Sequence, residues 1–318
     1  MKRIIIIWLH ILSATTIGLS ACQPRNTPSL NAAPIANQID ETPIRVLAVE
    51  TFLADIAQNV AGNRLVIETL LPPGLDPHAF EPTPKDVAKI AASQVLIING
   101  AGFEEWLAET IKNAGGERTI IEASAGLVPR QPREGEEAED KHESDPHFWL
   151  DPINVIKYVE NIRQGLIAAD PAGKDTYTQN AEAYITQLKA LDSWIRQQLS
   201  VIPDERRLIV TNHESFGYFA DRYDFKIIGA IIPSVSADAA PSAQQMTQLV
   251  ERIRQSRAIA IFLETGSNPQ LAQQIAHETG VTVITDLYTH SLSAPDGPAP
   301  TYLDMMRYNT LTLVNALR

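Results

Sequence analysis

Short runs of β-branched and other apolar residues recur along this chain, separated by stretches whose apolar positions fall three and four apart. In the first half the runs are IRVLAVE (44–50), LVIETLL (65–71), QVLIING (94–100) and RTIIEA (118–123), with FLADIAQNVAG (52–62) and PKDVAKIAASQ (84–94) at helical spacing between them. The second half repeats the scheme with RRLIVTN (206–212), FKIIGAI (225–231), AIAIFLE (258–264) and VTVIT (281–285). AQQMTQLVERIRQSR (243–257) and PQLAQQIAHETG (269–280) supply its helices, the latter opening behind Asn268-Pro269 and closing on Gly280. Continuous apolar strands that alternate with helices predict parallel sheets covered on both faces. The expected fold class is therefore α/β, with two lobes, each a parallel sheet flanked by helices.

Between the halves one pattern is longer than the rest. Tyr177, Ala181, Tyr184, Leu188, Leu191, Ile195 and Leu199 recur at steps of three and four, with no Gly or Pro across 174–200. Such a helix spans about 40 Å at 1.5 Å per residue. It predicts a stiff connection, and hence an N-terminal α/β lobe at 43–172, a linking helix at 173–202 and a C-terminal α/β lobe at 203–318.

The N-terminus has a different character. Lys2 and Arg3 precede an apolar run from Ile4 to Leu19 that ends in LSAC (19–22), the layout of a secretory signal. Cys22 is the only cysteine, so an exported chain of this kind has no internal disulfide. Leu-Ser-Ala-Cys resembles the bacterial lipobox, which implies residues 1–22 as a lipoprotein signal and Cys22 as the lipidated residue. Residues 23–42, rich in Pro, Asn, Thr and Ala, read as a flexible tether. The chain carries 38 acidic against 26 basic side chains, net −12, which argues against nucleic acid and anionic substrates.

Open parallel sheets bind ligands at the carboxyl ends of their strands. The polar residues that follow the predicted strands are uniform. LPPGLDPHAFEPTPKD places His78 after the second strand, and ESDPHFWLDP places His147 after the first lobe's last strand and its loop. VTNHESFGYF places His213, and ITDLYTHSLS places Asp286 directly behind the run ending at residue 285. Three imidazoles and one carboxylate suit a tetrahedral borderline cation, Zn2+ above all. Pro77 and Pro146 stiffen the chain just before His78 and His147. Phe148, Trp149, Phe216, Tyr218 and Phe219 are expected to wall the site from water. His213-Glu214 opens like a zincin motif, but Gly217 stands where that motif needs its second histidine. Asp151 reads as the cap of a helix that starts at Pro152.

These segments together identify a resemblance. GLDPHAFEPTPKD, DPHFWLDP, TNHESFGYFADRYDF and PAPTYLDMMRYN (298–309) resemble signatures of the cluster A-I substrate-binding proteins of ABC transporters, the zinc and manganese receptors, over residues 43–318. The resemblance implies metal ligands at His78, His147, His213 and Asp286, two lobes on one long helix, and an ABC permease with its ATPase as partners. It also implies no catalytic residue, a membrane-anchored lipoprotein facing the periplasm or the outside, and a monomer. Manganese members carry Glu at the position of His213, so the expected cargo is Zn2+ rather than Mn2+. His142, within the acidic stretch 132–146, is a further candidate for metal contact, and His290 and Glu264 are candidates for positions just behind the ligands. A manganese or iron receptor of the same family, a zinc hydrolase using an open coordination position, and an adhesin are the rival assignments.

Overall fold

The computed structural model describes residues 44–78, 80–131, 145–234 and 240–318. Cys22, the signal and tether segments, and His142 lie outside the described residues. The chain from Pro43 to Arg318 is one compact unit that holds every described element.

All eight predicted runs form strands. β1 (Val46–Ala48), β2 (Ile67–Thr69), β3 (Val95–Ile98) and β4 (Thr119–Glu122) pair in parallel in the order β2-β1-β3-β4. β5 (Leu208–Thr211), β6 (Lys226–Ala230), β7 (Ala260–Glu264) and β8 (Thr282–Leu287) repeat it as β6-β5-β7-β8. Both sheets therefore present their strand carboxyl ends as a row of loops, and both reverse strand order at the same place.

Among the helices, α1 (Thr51–Ala61), α2 (Pro84–Ala92), α7 (Ala243–Ser256) and α8 (Gln270–Thr279) lie where the spacing predicts them. α3 (Leu107–Ala114), α6 (Gly217–Tyr223) and α9 (Tyr302–Leu317) were not legible from periodicity. α4 (Pro152–Ala169) begins as expected, with Asp151 Oδ1 accepting from the Ile153 N–H at 2.8 Å. α5 (Lys174–Leu199) is the long linking helix, 26 residues, with Tyr177, Ala181, Tyr184, Leu188, Leu191, Ile195 and Leu199 all buried. Each large apolar side chain in that stripe contributes about 1.5–3 kcal/mol by burial.

More than α5 joins the lobes. α9 leaves the second sheet and packs on α5 and α1, so one hydrophobic core runs from Val46 and Ile97 through Tyr184 to Phe262 and Met305. Polar contacts follow the same route. Asp55 Oδ2 on α1 accepts from the Tyr302 N–H at 2.9 Å, and the Thr51 hydroxyl accepts from the Leu292 N–H at 2.8 Å. On α5, Asp192 takes a two-pronged guanidinium contact from Arg222 of α6 at 2.9 and 2.8 Å. A shared core and fixed polar ties resist hinge opening more than a bare linker does.

One buried pair runs against the usual economy of charge. Glu50 is fully buried and, among the described residues, its carboxyl oxygens have no hydrogen-bond partner at ordinary geometry. Its neighbour is Glu104, which accepts from the Asn99 N–H at 2.5 Å and the Gly100 N–H at 3.1 Å. Burial, then the charge of Glu104, drives Glu50 well above the carboxylate range, and burial pushes Glu104 up to about 7. The folded protein thus keeps a proton that the unfolded chain releases above the ordinary glutamate value of 4.5. Stability is lost as pH rises from there through about 7, the Glu104 value, with Glu50 adding to the loss in the same direction. Glu50→Gln removes one of the two carboxyls that must stay protonated in the fold. Urea denaturation of both proteins at several pH values is expected to show wild type losing stability between mildly acid and neutral pH, and the variant losing on the order of 1 kcal/mol less.

Candidate metal centre

Two DPH segments are built alike. Asp76 Oδ1 accepts from the His78 N–H at 2.9 Å, and Asp145 Oδ1 accepts from the His147 N–H at 3.0 Å. In each, an aspartate closes a tight turn across a proline and presents the histidine two residues on. His78 leaves the loop after β2, and His147 precedes a single 3-10 turn, Phe148–Leu150, that is completely buried. His213 follows β5 by two residues, and His290 follows β8 by three.

The four imidazoles converge. Their six ring-centroid separations lie between 4.9 and 5.6 Å, close to a regular tetrahedron. His147 Nε2 stands 3.2 Å from His290 Nε2 and 3.4 Å from His213 Nε2, and one nitrogen from each of the four lies within 4.8 Å of all the others. Four nitrogens bound tetrahedrally to zinc at 2.0–2.1 Å are spaced roughly 3.3 Å apart.

Neighbouring carboxylates settle which nitrogen faces inward. Asp145 Oδ1 lies 2.8 Å from His147 Nδ1. Glu264 approaches two rings at once, 3.1 Å from His213 Nδ1 and 3.4 Å from His290 Nδ1, the first off the line of an ideal hydrogen bond. The Ser215 hydroxyl donates to Glu264 at 3.0 Å. With their Nδ1 protons directed at carboxylates, the rings turn Nε2 lone pairs toward one another. His78 Nε2 is buried with no hydrogen-bond partner among the described residues. Lone pairs so arranged repel unless a cation lies between them.

The surroundings reinforce this. Burial, then the other three imidazoles, pushes His78 far below the histidine range, and burial lowers His290 to about 3, so both are neutral and free to ligate. Burial opposes the charged form of His213, but Glu264 outweighs it and raises that group. Burial would raise Glu264, yet His213 and His290 hold it well below the carboxylate range. The site carries its negative charge on Glu264 and Asp145, one layer behind the nitrogens.

Aromatic walls close it. Phe103 touches His78, His147 and His290 at centroid distances of 4.9, 5.8 and 5.7 Å, and Trp149 lies 5.2 Å from His147. The Trp149 indole donates to the Thr289 carbonyl at 2.7 Å, tying the His147 turn of one lobe to the His290 loop of the other. The Tyr218 hydroxyl donates to the Asp145 carbonyl at 2.8 Å, and the Asn99 amide to the Pro146 carbonyl at 3.2 Å. Gly217 has a local reason as well, since a Cβ there would sit 2.7 Å from Asp145 Oδ2 and 2.6 Å from the Arg130 side chain.

The expectation for Asp286 does not fit this geometry. β8 runs two residues past the predicted end, so Asp286 lies within the strand, exposed, with φ 114° and its carboxylate accepting from the Thr285 hydroxyl at 3.0 Å. His290, expected behind the ligands, takes the fourth corner instead. Glu264 lies beside the Nδ1 atoms of His213 and His290, and His277 lies on α8 outside the cluster. Phe103 was missed, its only signal being its place after the third strand.

Two like lobes, a stiff linking helix and a buried metal-type cluster at the strand ends define a binding protein for a divalent metal ion. The family described as zinc-uptake complex component A, periplasmic, matches residues 46–316, and the chain belongs to it. The chain is 32% identical over 276 residues to the manganese-binding lipoprotein MntA of Halalkalibacterium halodurans, covering 86% of this chain and 88% of that one. To the iron-binding protein YfeA of Yersinia pestis it is 34% identical over 269 residues, 85% of each. The periplasmic zinc-binding protein TroA of Treponema pallidum superposes with a TM-score of 0.79 at 27% identity, covering 87% of this chain and 99% of that one. The chain is accordingly an extracytoplasmic substrate-binding protein of an ABC import system, working with a permease and its ATPase, and not an enzyme.

Separate alanine substitutions test the fourth corner. His290→Ala is expected to weaken metal binding at least about 100-fold, and Glu264→Ala about 10–100-fold, by isothermal titration. Asp286→Ala leaves affinity unchanged; a loss matching that of His290→Ala would return Asp286 to the site.

Proposed function

We propose that the cargo is Zn2+, bound by His78, His147, His213 and His290. The observation that carries this reading is the all-nitrogen donor set at near-tetrahedral spacing. Zinc takes four imidazoles tetrahedrally, whereas manganese favours oxygen donors and higher coordination, and zinc already stands above manganese in intrinsic affinity. Four protein nitrogens also leave no open corner for an activated water, which separates the site from that of a zinc hydrolase. The names of MntA and YfeA favour a second reading, manganese or iron as cargo.

Competitive titration of the purified protein with Zn2+ and Mn2+ decides between them. Wild type is expected to prefer zinc by at least about 100-fold, and His213→Glu with His290→Asp to narrow that ratio about tenfold or more. An unchanged ratio in the double variant, or a wild-type preference for manganese, contradicts the zinc reading.

The same reading includes a monomeric receptor held at the membrane through lipid on Cys22, with residues 23–42 as the tether. It is supported by the Leu-Ser-Ala-Cys segment and by the lipoproteins among the relatives. Among the described residues no helix is long and apolar enough to cross a membrane. Cys22→Ser is expected to move the protein from the membrane fraction to the soluble fraction; retention in the membrane would exclude the lipid anchor.

A further inference from the structure

Among the described residues His147, His213 and His290 are buried and His78 is half-buried, and a hollow borders the cluster at His290. This space of about 90 Å3 lies at the strand carboxyl ends, between the loop Gly74–Asp76 of the first lobe and the loops Glu264–Ser267 and Thr289–Ser291 of the second. Its inner end is formed by His290 and Glu264. Its rim is narrow because two loops meet there. The Gly74 N–H donates to the Ser291 hydroxyl at 2.8 Å, and a Cβ on Gly266 would stand 3.6 Å from the Gly74 carbonyl. Gly74 and Gly266 have φ of +85° and +86°, a left-handed conformation in which other residues are strained.

We propose that this hollow is the port through which the ion reaches and leaves the four histidines, with Asp76 and Glu264 supplying the negative charge that draws it in. The inference rests on the metal-receptor reading of the site and adds the route. Charge supports it: among the described residues the ionisable side chains lining the hollow are Asp76, Glu264 and the imidazole of His290, with no lysine or arginine. The rim also carries Leu75, 44% exposed, an apolar side chain placed at the mouth.

A reversible plug tests the port. Cys22 is the only cysteine in the chain, so Ser267→Cys in residues 43–318, the compact unit that holds every described element, provides a single thiol at the rim. A bulky methanethiosulfonate is attached after folding, and Zn2+ loading and chelator-driven Zn2+ release are followed by stopped flow. An obstacle on the route slows both directions equally, so each rate is expected to fall at least about tenfold. The equilibrium dissociation constant stays within about twofold, and removal of the label restores the rates. The same label on Asn113→Cys, exposed on α3, changes nothing. Unchanged rates in labelled Ser267→Cys overturn the port, as does a slowed rate in one direction only. If unlabelled protein takes up no Zn2+, it is the cargo assignment that fails rather than the route.

Discussion

Four imidazole lone pairs aimed at one point are tolerable in a dry interior only if a cation joins them. The rest of the molecule can be understood as the apparatus that enforces this arrangement. Carboxylates behind the rings fix which nitrogen faces inward: Asp145 for His147, and Glu264 for His213 and His290. Aromatic side chains then exclude water, and the cost of burying ionisable groups keeps His78 and His290 neutral. A tetrahedral nitrogen site with no carboxylate in direct reach of the ion gets its charge balance from one layer out. That layer carries as much of the affinity argument as the ligands.

The site is also an interlobe device. Two histidines come from each sheet, so the tetrahedron exists only while the lobes hold one relative position. α5 supplies length and stiffness, and α9 crosses back to close the core over both sheets. Trp149 bonded to the Thr289 carbonyl, and the Tyr302 hydroxyl bonded to the Trp149 carbonyl at 2.7 Å, place interlobe ties within a residue or two of the ligands. Motion that releases metal is therefore expected to be small and local to the loops, rather than a wide swing of domains.

Much of this was legible in the sequence. The eight strands announced themselves as apolar runs, and α5 by its uninterrupted stripe. His78, His147 and His213 followed because loops at strand carboxyl ends are where such folds place ligands, and because the two Asp-Pro-His turns are rigid locally. The fourth corner was misread for a definable reason. The run VTVIT ends its apolar stretch at Thr285, yet β8 continues through Asp286 to Leu287, its pairing with β7 shifting register on the way. A polar residue inside an edge strand is ordinary when it faces solvent, so the first polar residue was not the first loop residue. α6 was hidden because it is short and buried on nearly every side, and α9 because polar Asn309 and Thr310 stand among the buried positions of its inner face.

The central claim is the ligand count and type, and X-ray absorption on zinc-loaded protein measures it directly. Four nitrogen neighbours at 2.0–2.1 Å, with the outer-shell scattering of four imidazole rings, are expected. A first shell containing an aspartate oxygen, or one expanded to five or six neighbours, would contradict the four-histidine centre.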